Sequence, residues 1–178
     1  MPKSIYRKCG LIEGCVYPTN KNGDLLVVKV HNALEVEVEF IDTGYTTTAR
    51  AIHIRSGRVK DKLFASVAGV GCVGVGPYVT RADGKLTVAY ETWRNMLKRC
   101  YNPSAHNYPR YGAKGVYVCD EWHNYQIFAT WYYDNYPTDG QVYQLDKDGL
   151  HTGDGPKCYS PSTVQFITQA ENLALSKR

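Results

Sequence analysis

Between residues 35 and 40 glutamates alternate with Val36, Val38 and Phe40, the period-two pattern of a strand with one wet face. DLLVVKVH (24–31) before it and TTTARAIHI (46–54) after it read as further strands, separated by turn signals at Asn22-Gly23, Thr43-Gly44 and Ser56-Gly57. Short strands this closely spaced predict a small antiparallel β domain over residues 1–65, a curled sheet or a barrel-like form of it. Docking, nucleic-acid contact and structural support are all open to such a domain.

Residues 66–89 read as a connection. GVGCVGVGPY (69–78) lacks the terminal Gly-Lys-Ser/Thr of a phosphate-binding loop and the strand–turn–helix setting of a dinucleotide fingerprint. It reads as a close-packed backbone crossing or a flexible link. YVTRADGKLTVAY (78–90) then offers a hairpin around Asp83-Gly84.

The period changes after residue 90. Tyr90, Trp93, Leu97 and Cys100 form one apolar stripe of a helix, with Arg94, Lys98 and Arg99 off it. The helix dipole alone favours basic residues near a C-terminus, which accounts for Lys98 and Arg99 and leaves Arg94 as the more informative cation. A polar loop carrying Arg110 and Lys114 follows, and both are candidates for phosphate contact. Trp122, Tyr125, Ala129 and Tyr132 then recur at helical spacing, which predicts a second helix over 120–136.

From residue 142 the pattern is strand (VYQLD), a loop rich in Gly, Asp, Pro and Ser, strand (VQFIT, 164–168) and helix (QAENLALSK). Thr168 and Glu171 make the Thr-x-x-Glu capping box that opens this helix. The predicted class is therefore α+β: an N-terminal β domain, central helices, and a C-terminal ββα unit within 90–178.

Composition narrows the classes. The 178 residues are 43% hydrophobic and 21% charged, the range of folded globular chains. No apolar run approaches the roughly 20 residues that span a bilayer, and no apolar leader stands at the start, so no membrane partner and an intracellular setting are expected. The net charge of +4 and a pI near 8.7 permit a polyanionic partner. Fifteen tyrosines against four phenylalanines supply rings with a polar handle, suited to binding surfaces. Cys100, Cys119, His123 and Cys158 are a candidate zinc set without a CxxC pair, and buried free thiols are the favoured reading.

One resemblance joins these pieces. WRNMLKRCY, YGAKGVYVC, EWHNYQIFATW, LDKDG, YSPSTVQFIT and AEN follow one another in the order of a broad set of phage proteins resembling HNH endonucleases. The similarity covers roughly residues 60–178. It implies a ββα site in which Asp146 and Asn172 hold Mg2+ or Mn2+, with no organic cofactor, and it implies DNA as partner in the cytoplasm of a host cell. Two positions depart from that pattern: the general-base histidine is replaced by Lys147, and the middle asparagine by Thr163. An ammonium group cannot take a proton from water, though it can hold a phosphate. His151 is a candidate replacement base, and Asp148 a second ligand or a turn residue.

Three functions follow. One is a metal-dependent nuclease that cuts or nicks DNA around Asp146, Asn172, Lys147, His151 and Thr163. Another is an inactive DNA-binding protein using Arg94, Lys98, Arg110, Lys114, Lys147, Lys157, Lys177 and Arg178 on phosphate. The last is a phage protein that binds a host protein through its tyrosines.

Overall fold

The alternation at 35–40 becomes a strand whose inner residues Val36, Val38 and Phe40 are buried. A computed structural model of the chain describes residues 10–147 and 155–175. The chain divides into two units, Met1–Phe64 and Ala65–Arg178.

In the first unit β1 (Val16–Pro18), β2 (Asp24–Val30), β3 (Val36–Phe40) and β4 (Thr46–Ala49) form an antiparallel sheet in sequence order. Leu25 pairs with Phe40, and Val27 with Val38. The register shifts between Val27 and Lys29, so Val28 and Lys29 both face solvent while Val30 returns to the buried face. Without that bulge Val30 would point outward, because side chains alternate along a strand.

Two expectations are corrected in this unit. The sheet does not close into a barrel: β1 and β4 stand at opposite ends of the strand order. Its inner face is covered instead by Leu11 and by α1 (Ala51–Arg55), which contributes Ala51 and Ile54. The expected strand over 46–54 accordingly stops at Ala49. The Ala51 amide leaves the ladder to bond the Ala33 carbonyl at 2.9 Å, and Ala51 and Ile54, three apart, bury on one helical face.

The second unit begins with the glycine-rich segment, followed by the hairpin of β5 (Arg81–Ala82) and β6 (Lys85–Leu86). Asp83 and Gly84 in its turn both have positive φ, as a two-residue hairpin loop demands. In α2 (Val88–Tyr101) the Thr87 hydroxyl accepts from the Tyr90 amide as N-cap, and Trp93, Met96, Leu97 and Cys100 are buried. After two short 3-10 turns comes β7 (Tyr117–Val118). The second expected helix starts later, as α3 (Tyr125–Asn135), because Asn124 is extended and its side chain caps the Gln126 amide. Asp120–His123 form a separate 3-10 turn.

Finally β8 (Tyr143–Asp146), β9 (Cys158–Tyr159), β10 (Gln165–Thr168) and α4 (Gln169–Leu175) complete the unit. β7 and β9 pair in parallel, and β8 and β10 antiparallel with Asp146 opposite Gln165. The capping box is formed: Thr168 amide and hydroxyl donate to the Glu171 carboxylate at 2.7 and 2.8 Å. The expected metal-bearing form of this C-terminal part is also corrected. Among the described residues no three or more His, Cys, Asp or Glu side chains are gathered to hold a metal ion, which applies equally to the Cys100, Cys119, His123 and Cys158 set. Nor, among them, is any helix long and apolar enough to cross a membrane.

The glycine-rich segment is a close-packed crossing. A Cβ on Gly71 would strike Leu97 and lie 2.9 Å from the Trp93 ring. Its neighbour Cys72 bonds the backbone on both sides of Asn124, donating to the His123 carbonyl and accepting from the Tyr125 amide. The same contact that takes up the Asn124 backbone thus sets where α3 begins.

Candidate functional site

The stripe of α2 beside its apolar face is polar: Thr92, Asn95 and Arg99 are spaced three and four apart and share one side of the helix. They form one wall of a cleft of about 300 Å3 in the second unit. Opposite them β8 contributes Gln144, Asp146 and, just past its end, Lys147. Tyr111, between the 3-10 turns Tyr108–Arg110 and Gly112–Lys114, and Tyr159 from β9 also line it, as does Asn172 from α4.

Aromatic rings hold the cations here. The Arg99 guanidinium carbon lies 5.1 Å from the centroid of Tyr111 and 4.9 Å from that of Tyr159. Lys147 Nζ lies 4.9 Å from the centroid of the same Tyr111. Contacts of this kind contribute roughly 0.5–2 kcal/mol each, more as water is excluded. Lys147 is only 7% exposed. Arg99 Nε is shielded from solvent and meets no hydrogen-bond acceptor among the described residues. A guanidinium resting on aromatic faces keeps its in-plane N–H groups for an oxygen ligand.

The rest of the polar wall is neutral or acidic. Asn172 Nδ2 donates to Gln144 Oε1 at 2.8 Å, which orients both amides across β8 and α4. Asp146 sits between Leu145 and Lys147 on the same wall. The cleft thus assembles Asp146, Lys147 and Asn172, three of the residues singled out by sequence.

The other described candidates lie elsewhere. Thr163 bonds within the turn before β10, its hydroxyl donating to the Cys158 carbonyl at 2.6 Å and accepting from the Ser160 amide at 3.0 Å. Arg94 is half-buried with its Nη2 3.8 Å from Glu91, and its Nε meets no acceptor among the described residues. Lys98, Arg110 and Lys114 are exposed, and Lys157 is half-buried. His151, Asp148, Lys177 and Arg178 lie outside the described residues.

Sequence reasoning assigned Arg99 to the helix dipole and gave no role to Asn95, Tyr111 or Tyr159. The signal for the first two was the 92–95–99 spacing. For the tyrosines no local signal exists, since they reach the cleft from segments remote in sequence.

Two thiols of this unit are held toward the protonated form. Burial pushes Cys100 up to about 11, against the opposing fields of Arg99 and Lys147. Burial also pushes Cys119 up to about 11. The thiolate is the nucleophile, so both cysteines are expected to resist iodoacetamide at pH 8 in the folded protein. Both should react promptly in denaturant, as peptide mass mapping after timed alkylation would read. Rapid folded-state labelling of Cys100 would contradict its burial.

No family model, curated protein or solved structure matches the chain.

Proposed function

We propose that the second unit binds DNA through its phosphate backbone, with Arg99 and Lys147 as recessed anchors and the exposed Lys98, Arg110 and Lys114 adding charge. The observation that carries this reading is the placement of two cations against one ring, Tyr111, inside a cleft. A planar guanidinium suits a phosphate oxygen pair, and Arg99 Nε meets no acceptor among the described residues. The resemblance of roughly residues 60–178 to HNH-like phage proteins favours DNA as the polyanion, and the net charge of +4 agrees with it.

The donor chemistry favours binding over metal-dependent cleavage. Mg2+ and Mn2+ seek several hard oxygen ligands. The described walls offer a single carboxylate, Asp146, with the neutral amides of Asn95, Gln144 and Asn172, beside the charges of Arg99 and Lys147. That set does not suit a divalent cation. An oxygen-rich anion fits it better.

Fluorescence anisotropy of labelled DNA tests the reading. Affinity should fall steeply with salt, log K changing by about 0.7–0.9 per decade of salt for each phosphate contacted. Arg99→Ala should weaken binding about tenfold, EDTA or added Mg2+ should leave it unchanged, and plasmid should stay intact. Salt-insensitive or absent binding would remove the proposal. EDTA-sensitive cleavage that Asp146→Ala abolishes would restore the nuclease reading.

A further inference from the structure

Basic side chains of the second unit lie at two depths. Lys98, Arg110 and Lys114 are exposed, whereas Lys147 is 7% exposed and Arg99 Nε is shielded. Duplex DNA presents its phosphates on the outside of a rod stiff over about 150 base pairs. It reaches exposed cations without entering a recess. A cation inside a cleft of about 300 Å3 is reached by a group that has left the stack. That volume stands at the lower end of the roughly 300–1,000 Å3 typical of small-ligand clefts.

The wall chemistry fits a whole nucleotide better than a bare phosphate. Asn95, Gln144 and Asn172 carry neutral amides, each a donor and an acceptor, of the kind that reads base edges. Asp146 adds an acceptor-only group. It would repel a lone phosphate but accepts from the exocyclic amine of a base. The Asn172–Gln144 bond fixes part of that surface before any ligand arrives.

We infer that the cleft takes one nucleotide unit of single-stranded DNA, its phosphate on Arg99 and its base or sugar against Asn95, Gln144 and Asn172. This rests on the DNA-binding reading above and adds the form of the DNA. Single-strand binders combine a positively charged groove with aromatic side chains; here the rings of Tyr111 and Tyr159 support the Arg99 charge and the amides meet the base or sugar.

The test compares a short labelled single strand with the blunt duplex of the same sequence, at fixed salt, on the full chain. Inorganic phosphate serves as a competitor. The unmodified protein should bind the single strand at least about tenfold tighter than the duplex, with phosphate competing poorly. Arg99→Ala or Asn95→Ala should erase that preference, while Lys114→Ala should weaken both forms alike. Equal affinity for the two forms overturns the inference and leaves DNA binding standing. A single-strand preference that survives both cleft substitutions places the strand elsewhere and also overturns it. Absence of salt-sensitive binding to either form removes the inference and the DNA-binding reading together. The comparison of strands on unmodified protein needs no variant to fold, and thermal melts monitored by circular dichroism verify that the variants do.

Discussion

Trp93→Ala is expected to destabilise the second unit by about 4 kcal/mol, within the roughly 3–5 kcal/mol range for large aromatic truncations in a core. The side chain is 0% exposed and packs with Tyr90 and Tyr125, each at 5.5 Å between ring centroids. Gly71 lies close on its ring. Its Nε1 donates to the Trp122 carbonyl at 2.7 Å, so truncation opens a cavity and also strands a buried acceptor. Trp93→Phe shifts the balance toward the second effect, since it keeps a six-membered aromatic ring in the core and loses the N–H. It should cost about 1–3 kcal/mol, the range for an unsatisfied buried polar group. Guanidinium denaturation read by far-ultraviolet circular dichroism measures both. A cost below about 1 kcal/mol for the alanine variant would contradict the packing described. The effect reaches function through α2: Trp93 fixes the helix whose adjacent stripe presents Thr92, Asn95 and Arg99 to the cleft. If the second unit binds DNA as proposed, its affinity should therefore fall in step with the folded fraction.

Legibility of the fold followed the range of the interactions that decide it. The period-two run at 35–40 announced β3, because burial of one strand face leaves its mark residue by residue. TTTARAIHI read as one strand because three threonines and two isoleucines all favour extended backbone. The helical face within it is only Ala51 and Ile54, and it needs the sheet beneath to become visible. Barrel closure was expected from strand count alone, yet a five-residue helix covers the inner face. The late start of α3 was hidden for a similar reason: the apolar spacing runs through Asn124, but its backbone is held by Cys72, far back in the chain. At the site, Asp146 and Asn172 were legible from the resemblance and do share a cleft. Arg99 was not, because the dipole argument that explains a cation near a helix end says nothing of what its guanidinium rests on. Tyr111 and Tyr159 supply that surface, and only the tertiary fold brings them to it.

Gln126→Ala is expected to cost about 3 kcal/mol, an unusually large effect for a polar side chain. Gln126 is 8% exposed at the start of α3. Its Oε1 accepts from the Tyr78 amide at 2.9 Å, and its Nε2 donates to the carbonyls of Val73 and Tyr78 at 3.2 and 3.0 Å. One side chain thus satisfies three backbone groups of a segment that has almost no regular structure of its own. Losing partners for buried backbone groups costs about 1–3 kcal/mol each where water cannot replace them; some of these groups will be rehydrated, so the sum stays near the lower bound. Gly76 lies so close to this amide that a Cβ there would meet Oε1, so Gly76→Ala should disturb the same contacts from the other side. Because the two substitutions act on one network, the double variant should cost clearly less than the two single losses added. Thermal melts of the four species give the cycle, with Gln126→Ala lowering Tm by on the order of 10 °C. Simple additivity would mean that Gly76 and Gln126 act independently. A Tm change of only a degree or two for Gln126→Ala would mean that water replaces the amide, and that the glycine-rich crossing is held by the packing on Gly71 and the backbone bonds of Cys72.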